Sequence, residues 1–296
     1  MSITKLRIGT RGSPLALWQA EFVASSLRSL GHAVDLVIIQ TQGDQVQDRP
    51  LAQIGGDGLF TKAIQDALLE GRADIAVHSL KDLPTLPVAG LTLAAVPKRG
   101  PTGDVFVSVK HRRFDELPQG AHIASGSQRR KAMLLNRRPD LQLHDLRGNI
   151  QTRLKRLQEN GCDAIILAEA GLIRLQLSDR ITEVLDPDWM LPAVGQGALG
   201  LECRTNDFAT LDILQLLNDS YTHAAVTAER SFLLAMGGGC QVPLGVQTII
   251  RAESLKVRGV WLSPDGKERR EAEVNGNRTD AENLGKQLAS WIRMRN

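Results

Sequence analysis

The sequence predicts an α/β protein in three parts: two α/β domains in succession, then a small α+β domain with a three-stranded antiparallel sheet. Three observations carry this reading. Short apolar runs alternate with amphipathic helical stretches through the first two thirds of the chain, the pattern of strand–helix units. From residue 222 the order changes to one helix, three strand-like runs and a closing helix. The length of 296 residues suits two or three domains of roughly 100–150 residues each.

The elements follow in order. Leu6-Arg7-Ile8-Gly9-Thr10 reads as a buried strand. Ser13-Pro14 then supplies an N-cap with proline at the first helical position, and a helix over residues 15–30 stops at Gly31. A strand at 34–41 leads into a polar, glycine-bearing stretch at 42–58, long enough to be a lid. A helix at 59–70 and a strand at 74–77 complete the first alternation, which predicts parallel pairing. After Lys98-Arg99-Gly100-Pro101, strands are expected at 105–107, near Ile123, at 141–146 and at 163–167. Helices are expected from Gln128 and from Gly148-Asn149 to about residue 160. Residues 192–202 read as a connection returning to the first domain. A helix from Thr222 to Met236, strands at 245–250, 255–261 and 270–274, the turn Ser263-Pro264-Asp265-Gly266 and a helix at 279–295 form the last part. The expected domains are residues 1–98 with about 194–217, residues 99–193, and residues 218–296.

Composition narrows the function classes. A net charge of +3 implies no strong field for nucleic acid, and Tyr221, the only tyrosine, argues against an aromatic platform for bases. Cys162, Cys203 and Cys240 lie far apart, without zinc-type spacing, so no metal site is expected and a reducing, cytoplasmic setting fits best. A strand-like run begins at once and no apolar stretch is long enough to span a membrane, so neither a signal peptide nor a membrane partner is expected.

Four features could carry chemistry. In Glu229-Arg230-Ser231-Phe232, continuing to Gly237-Gly238-Gly239-Cys240-Gln241-Val242-Pro243, a helix runs into three glycines and delivers a cysteine onto a loop. That cysteine is either inert in a tight turn or an accessible thiol whose sulfur chemistry is used. Gly195-Gln196-Gly197-Ala198-Leu199-Gly200 matches G-x-G-x-x-G, but no convincing strand precedes it and no helix follows, so its glycines mark a hinge or a close backbone approach, not a dinucleotide site. His78-Ser79-Leu80-Lys81-Asp82 follows a strand, where ligands of open α/β sheets bind, and a partly buried Asp82 could act as a general acid; a solvated turn is the alternative. Arg11, Arg129, Arg130, Arg147, Arg153 and Arg174 all follow strands, on what should be one rim suited to a ligand rich in carboxylates, although any one of them could be an ordinary surface arginine.

These residues resemble the porphobilinogen deaminase (hydroxymethylbilane synthase) family over essentially the whole chain. The resemblance rests on Thr10-Arg11-x-Ser13-Pro14-Leu15-Ala16, Gly58-Leu59-Phe60, Ala76-Val77-His78-Ser79-Leu80-Lys81-Asp82, Leu146-Arg147-Gly148-Asn149, Asp163-Ala164-Ile165-Ile166-Leu167-Ala168 and Leu191-Pro192-Ala193-Val194-Gly195-Gln196-Gly197, in the family's order, and on the cysteine signature from Glu229 to Gly245. It implies two periplasmic-binding-protein-like α/β domains plus the small α+β domain. It implies a monomeric transferase that joins four porphobilinogen molecules head to tail, with release of ammonia, to give hydroxymethylbilane. A dipyrromethane cofactor would be held by a thioether to Cys240. Asp82 matches the family's catalytic acid, poised beside the azafulvenium-like cation left when ammonia departs. Lys81, Ser127, Arg129, Arg130, Arg147 and Arg153 match cofactor contacts. Arg11, Ser13, Arg147, Arg153, Arg174 and Gln196 match substrate contacts.

The chain departs from the family pattern at Asp57, where lysine is usual, and at Ser125-Gly126-Ser127-Gln128, where Thr-Ser-Ser-Leu is usual. Two other readings compete with an active enzyme: a two-lobed carboxylate receptor, and a family member that binds cofactor without turning over.

Overall fold

The structure, a computed structural model, describes residues 5–41, 58, 61–159, 161–238 and 242–294. The chain divides into two compact units, Met1–Arg99 with Ala198–His223 and Gly100–Gly197 with Ala224–Asn296.

The first unit is built on a five-stranded sheet in the order β2-β1-β3-β10-β4. Strand β1 (Lys5–Thr10) lies parallel to β2 (Ala33–Ile38) and β3 (Ile75–Ser79). Strand β10 (Leu199–Arg204) is inserted antiparallel between β3 and β4 (Leu91–Ala95). Apolar residues at helical spacing, Ala20, Val23, Ala24 and Leu27, seat helix α1 (Pro14–Ser29) on Leu6, Ile8, Ile75 and Leu201. Helix α2 (Lys62–Leu69) covers the opposite face through Ile64, Ala67 and Leu68. Ser13 caps α1 as expected, its hydroxyl accepting the Ala16 N–H at 3.3 Å, and Gly31 past its end takes a φ of +90°.

The second unit repeats the plan in the order β7-β6-β8-β5-β9. Strand β6 (His122–Ala124) is parallel to β7 (Gln142–His144) and β8 (Ala164–Ala168), whereas β5 (Asp104–Val107) runs antiparallel to β8 and β9 (Glu183–Val184). Helix α3 (Gln128–Arg137) buries Ala132, Met133 and Leu134 on one face with Phe106 and Ile123. Helix α4 (Ile150–Glu159) buries Leu154 and Leu157 on the other with Val105 and Ile165. A short helix, α5 (Glu169–Arg174), follows β8 directly.

Parallel pairing was expected from the alternation, and both sheets also contain antiparallel pairs. Strand–helix alternation reports only how sequence neighbours pair. Strands β5 and β10 each begin just after the chain has passed from one unit to the other, and each runs antiparallel to both of its neighbours. Strands β4 and β9 also lie outside the sequence reading. The chain after Gly200 continues as a strand, as expected.

The last part adds a three-stranded antiparallel sheet, β11 (Leu244–Arg251), β12 (Ser254–Leu262) and β13 (Arg269–Asn277). Leu255 and Val257 face helices α7 (Ser220–Ala235) and α8 (Ala281–Met294), where Phe232, Leu284, Leu288 and Ile292 close a core. Helix α6 (Phe208–Gln215) precedes them in the first unit. Val260 and Leu262 point the other way and join the cluster around Phe106 and Met133. Gly245 lets β11 close on Met133 and Leu191, which ties this sheet to the second α/β sheet within one unit.

Candidate functional site

In the first unit, the loop after β1 and the end of β3 converge on a pocket lined by Arg11, Ser13, Gln19, His78, Ser79 and Asp82. Backbone geometry explains the convergence. Strand β3 runs two residues further than the sequence predicts, so His78 and Ser79 belong to it, and a 3₁₀ turn, Leu80–Asp82, carries Lys81 and Asp82. The Leu80 N–H donates to the Ala198 carbonyl at 3.0 Å, fastening that turn to the start of β10. Gln19 is buried within α1, and its Nε2 donates to the Ser79 hydroxyl at 2.7 Å. Asp82 is exposed and Lys81 half-buried. The partial burial expected of a general acid is therefore not supplied to Asp82 by the described residues.

In the second unit, Ser127 caps α3, accepting the Arg130 N–H at 3.4 Å, while Asn149 caps α4, accepting the Thr152 N–H at 2.8 Å. Both helices start beyond the carboxyl ends of strands. Arg147 and Arg153 flank the start of α4 and are half-buried, the Arg153 Nε donating to the Gly148 carbonyl at 2.8 Å. Arg174 ends α5, and its Nη2 donates to the Gly197 carbonyl at 2.7 Å; burial lowers its pKa to about 10. Ser125 is turned inward, its hydroxyl accepting the Ser127 N–H at 3.3 Å. At Gly126 a Cβ would stand 2.6 Å from the Leu146 carbonyl oxygen, so the departure from the family's run accompanies a close approach of two loops.

Two of the arginines expected on the rim, and Gln196, lie inside instead. Arg129 and Arg130 are each 5% exposed and flank Asp104, which is fully buried at the start of β5. Arg129 Nη1 stands 2.7 Å from Asp104 Oδ2, and Arg130 Nη2 2.6 Å from Oδ1. Arg129 also donates to the Leu191 carbonyl and Arg130 to that of Ile166. Burial pushes the Asp104 carboxyl up, but the two guanidinium groups overcome it and hold the group well below the usual carboxylate range. Gln196 is buried too, its Nε2 donating to Asp104 Oδ1 at 2.9 Å and to the Thr102 carbonyl at 2.7 Å. The expectation that the six arginines share one rim is corrected accordingly for Arg129 and Arg130. A guanidinium this close to a buried carboxylate is drawn to it, and Asp104 is that carboxylate. Its signal was present: one acid opening an otherwise apolar strand.

The G-x-G-x-x-G glycines mark close backbone approaches. Gly195 and Gly197 take φ values of +69° and +82°. A Cβ on Gly197 would meet the Pro101 carbonyl oxygen and stand 2.7 Å from that of Gly100, and at Gly200 it would stand 2.8 Å from Leu80 Cδ1. Glu229, fully buried on α7, accepts the Gly195 N–H at 2.8 Å and the Thr248 hydroxyl at 2.7 Å. Cys240, Asp57 and the lid expected at residues 42–58, apart from Gly58, lie outside the described residues. Among the described residues no group of three or more His, Cys, Asp or Glu side chains could hold a metal, and no helix is long and apolar enough to cross a membrane.

Residues 6–212 match the family model for the porphobilinogen deaminase dipyrromethane cofactor-binding domain, and residues 223–293 match the porphobilinogen deaminase C-terminal domain. The chain is 49% identical over 294 residues to a porphobilinogen deaminase of Trichlorobacter lovleyi, covering 99% of this chain and 94% of the relative. It is 48% identical over 294 residues to that of Syntrophotalea carbinolica, covering 99% and 93%. Among solved structures, the methionine-binding protein MetQ aligns with a TM-score of 0.48 at 13% identity, covering 76% of this chain and 94% of that one.

Proposed function

The chain belongs to the porphobilinogen deaminase family, and from that premise we propose which of its residues carry the reaction. The protein is a transferase of tetrapyrrole biosynthesis: it condenses four porphobilinogen molecules into hydroxymethylbilane, with release of ammonia, on a covalent dipyrromethane primer. Both primer and product are polyanions. The half-buried Arg147 and Arg153 at the start of α4, and the capped start of α3 at Ser127, offer the guanidinium and backbone N–H donors that carboxylates require, so the described residues suit such a group. When bound, the dipyrromethane supplies the nucleophilic pyrrole carbon to which the first unit is joined.

Asp82 is the catalytic group in this reading. The observation that carries it is the placement of that carboxylate in one pocket with Arg11 and Ser13, on a turn fixed to the sheet at Leu80. Protonated, Asp82 delivers its proton to the departing amine; ionised, it stabilises the positive charge that departure leaves behind. Arg11, Ser13, Lys81 and Arg174 bind carboxylates of substrate and growing chain. Arg129, Arg130 and Gln196 act from inside, holding the start of α3 and the 195–197 turn in place through Asp104. Cys240 is the thioether anchor, and α7 with the antiparallel sheet is the module that presents it. One chain supplies all of these groups, so we take a monomer as the working form, in the reducing, cytoplasmic setting that its scattered cysteines suggest.

Two measurements test the reading. Asp82→Asn and Asp82→Ala should load cofactor but lose turnover of porphobilinogen, and full turnover by either would sink the role of Asp82. The intact mass of the purified protein should exceed that of the bare chain by one dipyrromethane, an increment lost in Cys240→Ser; an increment that survives the substitution removes Cys240 as anchor.

A further inference from the structure

One titratable cluster beside the pocket has no part in the scheme above. His78, on β3, and Glu202, on β10, are 5% and 4% exposed, and His78 Nε2 approaches Glu202 Oε2 to 2.9 Å. In the antiparallel register His78 is opposite Gly200 and Ala76 opposite Glu202, so the two side chains form a diagonal pair on one face of the sheet. Gln65, 6% exposed on α2, donates its Nε2 to Glu202 Oε2 at 3.0 Å and to Oε1 at 3.3 Å.

We propose that Glu202 and His78, braced by Gln65, are positioning residues that fix the end of β3 against β10 and so aim the turn bearing Asp82. Burying a carboxylate and an imidazole is costly, and an apolar pair of similar volume would hold two strands together at least as well. What the polar pair adds is directionality. Glu202 faces an imidazole nitrogen of a strand at 2.9 Å and an amide donor of a helix at 3.0 Å, which ties β3, β10 and α2 to a single register. The consequence is local. His78 lies on the pocket wall that also carries Asp82. The intervening Leu80 is held to β10 by its N–H bond to Ala198 and by the space that Gly200 leaves for its side chain. A shift of β3 relative to β10 would carry Asp82 with it, and catalytic geometry tolerates little displacement.

This inference rests on the reading of Asp82 as the catalytic group. The test compares Glu202→Gln, His78→Leu, His78→Gln and Asp82→Asn as cofactor-loaded enzymes, with rates expressed per folded, loaded molecule. Glu202→Gln and His78→Leu should each lower kcat about tenfold or more while KM stays within about twofold, because aim is lost and binding is not. His78→Gln, whose amide can donate to Glu202 from the same position, should recover most of kcat. Parental kcat in Glu202→Gln, or a loss accounted for entirely by the folded and loaded fraction, overturns the proposal. Should Glu202→Gln fail to fold, equal kcat in His78→Gln and His78→Leu overturns it instead. An inactive Asp82→Asn beside a fully active Glu202→Gln defeats this proposal alone, whereas an active Asp82→Asn removes the reading of Asp82 and this proposal with it.

Discussion

Replacing Asp104 by Asn should cost the protein a large share of its stability. The carboxylate is fully buried and takes Arg130 Nε at 3.0 Å, Arg130 Nη2 at 2.6 Å, Arg129 Nη1 at 2.7 Å and Gln196 Nε2 at 2.9 Å. Asn keeps the shape and one acceptor, but it removes the negative charge placed between two buried guanidinium groups and turns an amide donor toward one of them. Breaking a buried ion pair from one side costs about 3–5 kcal/mol, against a typical total of roughly 5–15 kcal/mol. The effect depends on pH in a fixed direction. Asp104 is held below its unfolded value, so its contribution is complete above about pH 4 and is lost as pH falls toward the folded value. Urea unfolding of the cofactor-loaded protein at neutral pH, repeated at steps below pH 5, reads both effects. A deficit below about 1 kcal/mol at neutral pH refutes the reasoning, as does a deficit that does not shrink on acidification. Substituting Asp104 by Leu together with Arg129 and Arg130 by Met should recover part of the loss, since no unpaired charge then remains inside.

Three further outcomes follow from other parts of the molecule. Gly197→Ala forces a Cβ onto the Gly100 and Pro101 carbonyl oxygens at a φ of +82°; it should lower stability by about 2 kcal/mol or more, read as a fall in melting temperature. Ser13→Ala removes the cap on α1 and should cost about 1 kcal/mol in the same assay, with any larger loss in turnover reporting ligand binding by the hydroxyl. At Asp74, burial pushes the carboxyl up but hydrogen bonds from Arg7 bring it below its ordinary value. Arg7→Ala should therefore flatten the loss of stability that the parent shows below about pH 4, and an unchanged acid limb counts against that pairing.

The features that determine the fold were unequally visible in the sequence. The Ser13-Pro14 start of α1, the Gly31 stop, the turn at Ser263-Pro264-Asp265-Gly266 and the three closing strands are local signals and stand where the residues place them. The mixed pairing of β5 and β10 is not local, because the direction in which a strand enters a sheet depends on where the chain has been in between. The candidate site divides in the same way. Arg11, Ser13 and Asp82 come together in one pocket because they follow adjacent strands of one sheet. Arg129, Arg130 and Gln196 could not be placed without their partner. Asp104 lies more than twenty residues from one and more than ninety from another, and nothing in residues 128–130 announces that their charge is already answered. Glu202 and Gln65 were hidden for the same reason, each sitting in an apolar stretch that periodicity assigns to the core.

The position of β10 between β3 and β4 has a consequence for how the protein is made. A ribosome delivers β1 to β4 early and β10 only after roughly two thirds of the chain, so the nascent first unit can pair β2, β1 and β3 but cannot yet attach β4. Until residues 199–204 emerge, β3 presents an unpaired edge, and β4, which pairs with β10 alone among the described strands, has no strand to join. A chain truncated just before Ala198 would contain every other strand of that sheet and still be unable to close it. The strand that arrives last brings Glu202 and the anchor point for Leu80, so the turn carrying Asp82 takes its final place only once synthesis has passed the whole of the second α/β domain.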